Sequence, residues 1–355
     1  MKKGLVCLSS GTAPQYRLDI LRVMALPEGT EIQFRYDGDL IDAAVRPGLG
    51  QDKRHDTPVL LAYLDLTPPV TTPGPRTIYP CRHARLIASE MLGQFYILRF
   101  RLGAFCQCPN LDSFRKQLAP KGPQAKDGTL QGNWVFEDEF AKSCVASDDM
   151  AVWQKSMKDL AATPDYASEA FFFRVMGLYR RGSDRELNPR NGEYRLASGS
   201  EYEWRIFHFH PESDAHKAAT VSTVIQVASA SEEIKSVTSP ELAIDSSYDL
   251  KSFHFRTNAV SVTEYTSFTM KFQDVTQHAT SGVGLVHPEL FLPLKVVPSR
   301  WRGILSVIAL TALLFGQQYI SATSKGDIPH QTTYVLLGLA FLTAVIAVYA
   351  LKKPL

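Results

Sequence analysis

The feature that most constrains this chain lies at its end. Gly303 to Ala322 reads GILSVIALTALLFGQQYISA, twenty residues without a charge. A helix of that length rises about 30 Å, the hydrocarbon thickness of a bilayer. Tyr334 to Leu351, YVLLGLAFLTAVIAVYAL, is a second uncharged run. Two such runs side by side predict a transmembrane hairpin over 300–355 rather than a pair of buried core helices. Lys295, Arg300 and Arg302 flank the first run, Lys352 and Lys353 follow the second, and the loop between them holds Lys325 alone. Positive charge marks the cytoplasmic side, so both ends are predicted inside. Gly4 to Ser10 is too short and too polar for a signal-peptide core. The expectation is a multi-pass protein of the inner membrane with its large N-terminal region in the cytoplasm and membrane lipid as a partner.

The runs are not uniformly apolar. Ser306, Leu310, Leu313 and Gln317 recur at helical spacing and are candidate pore-lining residues. Ala309, Ala312 and Gly316 on the first helix, and Ala340, Ala344 and Ala347 on the second, form small faces that permit close helix packing. A buried amide without a partner costs roughly 2–7 kcal/mol, so Gln317 needs water, a neighbouring helix or a pore. Two readings stand: the hairpin merely anchors, or several chains assemble a pore. The second requires a homo-oligomer, because two helices enclose nothing.

The region upstream reads as mostly β. Residues 1–109 form a β-rich part, a small barrel or sandwich. In it Glu31 to Asp37 alternates cleanly, with Ile32, Phe34 and Tyr36 on one face. Leu18 to Leu26 joins that strand through a hairpin-type connection at Pro27–Thr30. Thr57 to Leu66 is a further strand candidate, and Arg82 to Met91 and Phe95 to Phe105 pair around Gly93. Residues 110–170 form a loop and helical connector, in which Met150, Trp153, Met157 and Leu160 recur at helical spacing after Ser147-Asp148-Asp149. Residues 171–299 read as an antiparallel β-sandwich. It holds an internal echo: Tyr202 to Phe209 and Tyr248 to Phe255 share Tyr, acid, any, base, any, Phe-His-Phe. One echo is no repeat array, and two central strands with similar demands explain it better than duplication. Pro288, Pro293 and Pro298 stiffen the approach to the membrane.

Chemistry is sparse. A net charge of +2 excludes a strongly basic nucleic-acid binder, though it leaves room for a local patch. No nucleophile elbow, Walker loop, H-E-x-x-H or dinucleotide glycine pattern is present, so no enzyme is expected. Five cysteines, Cys7, Cys81, Cys106, Cys108 and Cys144, include one C-x-C and no C-x2-C pair, which argues for reduced thiols and against a zinc knuckle. His208 and His210, with His254 as a third candidate, and Cys81 with His83 have spacings that could hold metal, but read better as polar sheet faces. No metal or cofactor is expected. The more usable signal is basic: Arg99 and Arg101 share a strand face, and one of Arg82 and Arg85 joins them from the paired strand. Converging guanidinium groups can hold a nucleotide or oligonucleotide; the alternative is a solvated face paired with carboxylates.

The domain order, a cytosolic β-rich part followed by Gly303–Ala322 and Tyr334–Leu351, resembles the membrane effectors of bacterial antiphage systems, the Hailong ion-channel effector in particular. That resemblance implies a homo-oligomeric channel gated by a ligand on the cytosolic domains. It covers layout and carries over no residues. The rival reading is a membrane-tethered scaffold whose β domains bind a protein partner. The expected fold class is therefore a mainly β cytosolic region followed by a two-helix transmembrane hairpin.

Overall fold

The computed structural model describes residues 3–11, 13–50, 55–66, 77–118, 133–167, 171–211, 223–244, 248–260, 262–274 and 288–298, with Gly316 and Gly338. The first half builds one sheet from β1 (Gly4–Ser10), β2 (Glu31–Asp37), β3 (Thr57–Asp65), β4 (Thr77–Leu92), β5 (Phe95–Gln107), β6 (Trp134–Asp138) and β7 (Val145–Ser147). The order is β2-β5-β4-β3-β1-β6, with β7 also paired to β5. β1 and β3 run parallel, Leu5 opposite Val59, and β6 closes antiparallel on β1. Both central strands are buried on both faces, so neither shows the polar alternation of a half-exposed strand.

Four helices accompany this sheet: α1 (Pro14–Ala25), α2 (Arg46–Gly50), α3 (Leu111–Leu118) and α4 (Met150–Ala161). Alternation sends Leu5, Cys7, Val59, Leu61 and Tyr63 into one core with the apolar residues of α1 and α4. It sends Val6, Leu8, Leu60, Ala62 and Leu64 into another with Phe114 and Leu118 of α3. Asp149 caps α4 by accepting from the Ala151 N–H at 2.9 Å.

The second half is two five-stranded sheets. One orders β13 (Ile234–Ser236), β15 (Tyr248–Thr257), β11 (Glu201–Phe209), β8 (Phe172–Arg180) and β9 (Glu186–Leu187). The other orders β10 (Tyr194–Ala197), β17 (Leu290–Val297), β16 (Glu264–Asp274), β12 (Thr223–Ser229) and β14 (Glu241–Ile244). Their faces meet through rings, Phe255 on Phe268 at 4.6 Å and Trp204 on Tyr194 at 5.0 Å. Trp153 of α4 joins the halves: its indole donates to the Met24 carbonyl at 2.9 Å and its ring packs edge-on against Phe207 and Phe209.

Several expectations are corrected. Residues 1–109 do not close a small barrel; their strands lie in one mixed sheet between helical layers. Leu18 to Leu26 is no strand but the buried side of α1, where Ile20, Val23 and Met24 face the sheet. The prolines after Pro288 do not stiffen a linker. Leu290, Leu292, Leu294 and Val296 alternate into the core as β17, and Pro293 falls one residue before the β10 ladder begins, so its missing N–H breaks no bond there. The echo is explained by adjacency: β11 and β15 are antiparallel neighbours with Tyr202 opposite Phe255 and Phe209 opposite residue 248.

The membrane-anchored fold class is corrected too. Among the described residues no helix is long and apolar enough to cross a membrane; α1 and α4, at twelve residues, are the longest α-helices described. The transmembrane and ion-channel assignments and the multi-pass inner-membrane location therefore find no support. The predicted runs, with Ser306, Ala309, Leu310, Ala312, Leu313, Gln317, Ala340, Ala344 and Ala347, lie outside the described residues, while Gly316 is helical and half-buried.

Candidate metal centre

Of the four arginines singled out by sequence, three share an exposed face. Arg85 pairs in register with Arg101, and Arg99 lies beside them opposite Gln33 of β2. Arg85 meets Asp56 at 3.0 Å and Arg101 meets Glu31 at 2.9 Å. Arg82 lies on the other side and is fully buried. Its Nε donates to the Gly103 carbonyl at 2.6 Å, and its Nη1 to those of Val23 at 2.7 Å and Leu26 at 2.5 Å. Phe105 stands between Arg82 and Arg174, whose guanidinium carbons lie 4.4 and 4.5 Å from its ring centre. Burial, reinforced by the Arg174 charge, brings the Arg82 pKa down to about 9. Arg82 is thus a structural group at the junction of the two halves.

The histidine candidates do not converge. His208 pairs with residue 249 and His254 with Glu203, five positions apart along β11, or about 17 Å.

The cysteines do converge. The register of β5 with β7 sets Cys106 opposite Ala146 and Gln107 opposite Val145. One step further, Cys144 faces Cys108. The three sulfurs of Cys106, Cys108 and Cys144 lie within 4.8 Å of one another, with 3.9 Å between the first two. Tetrahedral zinc with Zn–S bonds of about 2.3 Å places its sulfurs about 3.8 Å apart, so this spacing suits a thiolate metal site. Hydrogen bonds among the three thiols, with the charges of His83 and Arg115 nearby, favour the ionised form at Cys108 against the opposing effect of burial. The same bonds and burial raise Cys106 strongly.

Around it lie Phe114, Phe136 and Phe140 on one side. Cys106 and Cys108 also border a groove of ≈ 410 Å³ between the ends of β4 and β5 and helix α4, where Lys155, Ser156 and Asp159 face them. Outside the thiols, Ser143 donates to Gln117 at 3.0 Å, and Gln117 to Asp138 at 2.5 Å, fixing the turn that carries Cys144.

His83 reaches this side of the sheet because of bulges. Pairing of β4 with β3 skips Cys81, and pairing with β5 skips from Arg82 to Ala84. Cys81 and Arg82 consequently both face the α1 side, and His83 turns to the thiol side, 5.9 Å from the Phe140 ring. Gly103 lets the strands close there: a Cβ on it would sit 3.3 Å from the His83 carbonyl oxygen. Sequence reading grouped His83 with Cys81 and left Cys144 out. The C-x-C was the only visible trace of the cluster; Cys144 is brought in by a three-residue strand.

Comparisons with known proteins add little. No family model matches the chain, and no curated protein matches it. Among solved structures, WR4, a C. elegans MSP family member, is 11% identical over 30% of this chain and 92% of its own, with a TM-score of 0.20. The N-terminal domain of PorA is 12% identical over 34% of this chain and 96% of its own, at 0.20. Tripeptidyl peptidase 2 is 14% identical over 46% of this chain and 12% of its own, at 0.23. Likenesses this distant carry no argument about function.

Proposed function

We propose that this protein is a metal-stapled binding scaffold, in which Cys106, Cys108 and Cys144 hold a soft divalent cation, zinc being the ion best matched to clustered sulfur. The observation that carries the reading is the meeting of three sulfurs within 4.8 Å from two segments far apart in sequence. The ion would tie the end of β5 and the start of α3 to the turn before β7. Its test is the metal content of the purified full chain by plasma mass spectrometry. About one zinc per chain is expected, falling to a small fraction in Cys144→Ser. A metal-free protein with three freely titrating thiols at these positions would refute it.

The pairing of Arg85 with Arg101 favours one ligand class for the scaffold's surface. Like charges set directly opposite are unfavourable, and Arg99 beside them makes no ion pair among the described residues. Asp56 and Glu31 already neutralise Arg85 and Arg101, so a phosphate-bearing ligand such as an oligonucleotide would pair chiefly with Arg99. A labelled single-stranded oligonucleotide should bind with an affinity that falls with salt and is lost in Arg99→Glu. Equal binding by that variant would remove this face from consideration.

A further inference from the structure

A cavity lies where the two halves meet, away from the cysteines, and charge of both signs lines it. Its volume of ≈ 480 Å³ suits a small molecule, and junctions between packed units are where such sites tend to form. Glu28 comes from the turn before β2, Arg82 from β4, Asp148 from the step into α4, and Arg174 and Glu186 from β8 and β9. We propose that this cavity binds a small zwitterion of the α-amino-acid class, its carboxylate on the guanidinium groups and its ammonium on the carboxylates.

The charges are held apart rather than paired. Among the described residues, neither Arg174 nor any of Glu28, Asp148 and Glu186 makes a salt bridge. Arg82 is 1% exposed and still borders the cavity. Its Nε and Nη1 are taken by three carbonyls, which fix the group in place. Its Nη2 makes no hydrogen bond among the described residues and is left for a ligand. Arg174 is held by the Phe105 ring and by a contact of 3.9 Å from Nη1 to the Met150 sulfur, and neither neutralises it. Burial raises the carboxyls of Glu28 and Glu186 and lowers Arg174, the directions expected of groups short of solvent and of a close counter-charge.

Close packing between the halves fixes the walls. A Cβ on Gly29 would sit 2.9 Å from Pro189 Cγ, and one on Gly177 would collide with the Glu186 side chain. Gly29 also donates to the Leu102 carbonyl at 2.8 Å, which ties its turn to β5. The charge pattern then selects the ligand. A lone anion would answer the guanidinium groups and meet three carboxylates. A lone cation would answer the carboxylates and meet two guanidinium groups. A molecule carrying both charges a short distance apart escapes either repulsion. A carboxylate suits the fork of Arg174 together with the free nitrogen of Arg82, and an ammonium suits clustered carboxylates. Pro27, Met176 and Pro189 leave an apolar wall for the ligand's side chain.

The probes are the common amino acids, each added in millimolar excess to the full chain. At least one should raise the melting temperature, since a ligand of the folded state stabilises it by mass action. Titration calorimetry with that amino acid then gives an affinity. Its methyl ester and its N-acetyl derivative, each lacking one charge, should bind at least about tenfold more weakly. Arg174→Gln should weaken the amino acid to the level of its ester and bind the two alike. Glu28→Gln, Asp148→Asn and Glu186→Gln combined should do the same for the amino acid and its N-acetyl derivative. A variant that is merely less stable would not lose discrimination against one derivative and keep it against the other. No shift from any amino acid would overturn the proposal, and so would ester and N-acetyl forms that bind wild type as well as the parent. Stabilisation by inorganic phosphate alone or by spermidine alone would overturn it in favour of a simple anion or cation site.

Discussion

At the scale of single residues, buried charge sets the expectations. Arg82 donates to the carbonyls of Gly103, Val23 and Leu26 from a fully buried position. Arg82→Met keeps much of the volume and strands those oxygens, each costing about 1–3 kcal/mol; a loss of at least about 3 kcal/mol should appear in urea unfolding. Arg82→Lys should recover little, because an ammonium cannot reproduce the planar fork. Asp19 on α1 is a different case. Burial raises its carboxyl to about 6 although Arg22 sits 3.1 Å away. The folded state then holds the proton more tightly than the unfolded one, so this group's contribution to stability is greatest below about pH 4 and is lost as pH rises through about 6. Asp19→Asn should flatten the dependence in that window and gain up to about 2 kcal/mol relative to wild type by pH 7, measurable as melting temperature against pH. Neither residue's role was legible in the chain. Sequence alternation allowed only one of Arg82 and Arg85 on the exposed face but could not choose between them, because the bulges that decide it arise from pairing partners distant in sequence. The metal candidates were hidden for the same reason: Cys144 joins Cys106 and Cys108 only once β7 pairs with β5.

At the scale of elements, periodicity was informative where one face is buried. Glu31 to Asp37 is β2 as its alternation says, and Trp153, Met157 and Leu160 are the buried stripe of α4. Asp149 was visible as a helix start, and it caps α4 as such a residue should. Asp149→Ala should cost about 1 kcal/mol by loss of the cap, read as a shift in the urea midpoint with an unchanged slope. Periodicity failed where both faces are buried. β1 reads as a short mixed run because it has no polar side, and α1 was read as a strand because its apolar residues follow one another too closely to show a clean stripe. β17 was obscured by its prolines, which suggested a linker although every second residue is buried.

At the scale of the whole molecule, the core is continuous from the first sheet through α1 and α4 to the facing sheets of the second half. A chain ended at residue 299 contains every strand described and should unfold in one cooperative transition; a chain ended at residue 288 lacks Leu290, Leu292, Leu294 and Val296 and should show none by calorimetry. Alternation pointed correctly to abundant strands, but strand order is not written locally. The pairing of β10 with β17 is the clearest instance, since Tyr194 meets Leu294 in parallel register. That single ladder has a consequence for synthesis on the ribosome. About a hundred residues separate the two partners, an interval of roughly 5–20 s at ordinary translation rates. Throughout it β10 has one side with no strand to receive it, as has β16 once it emerges. The nascent second half therefore waits, edges open, for its last strand to arrive, and a chaperone that shields those edges would govern how much of this protein reaches its folded state.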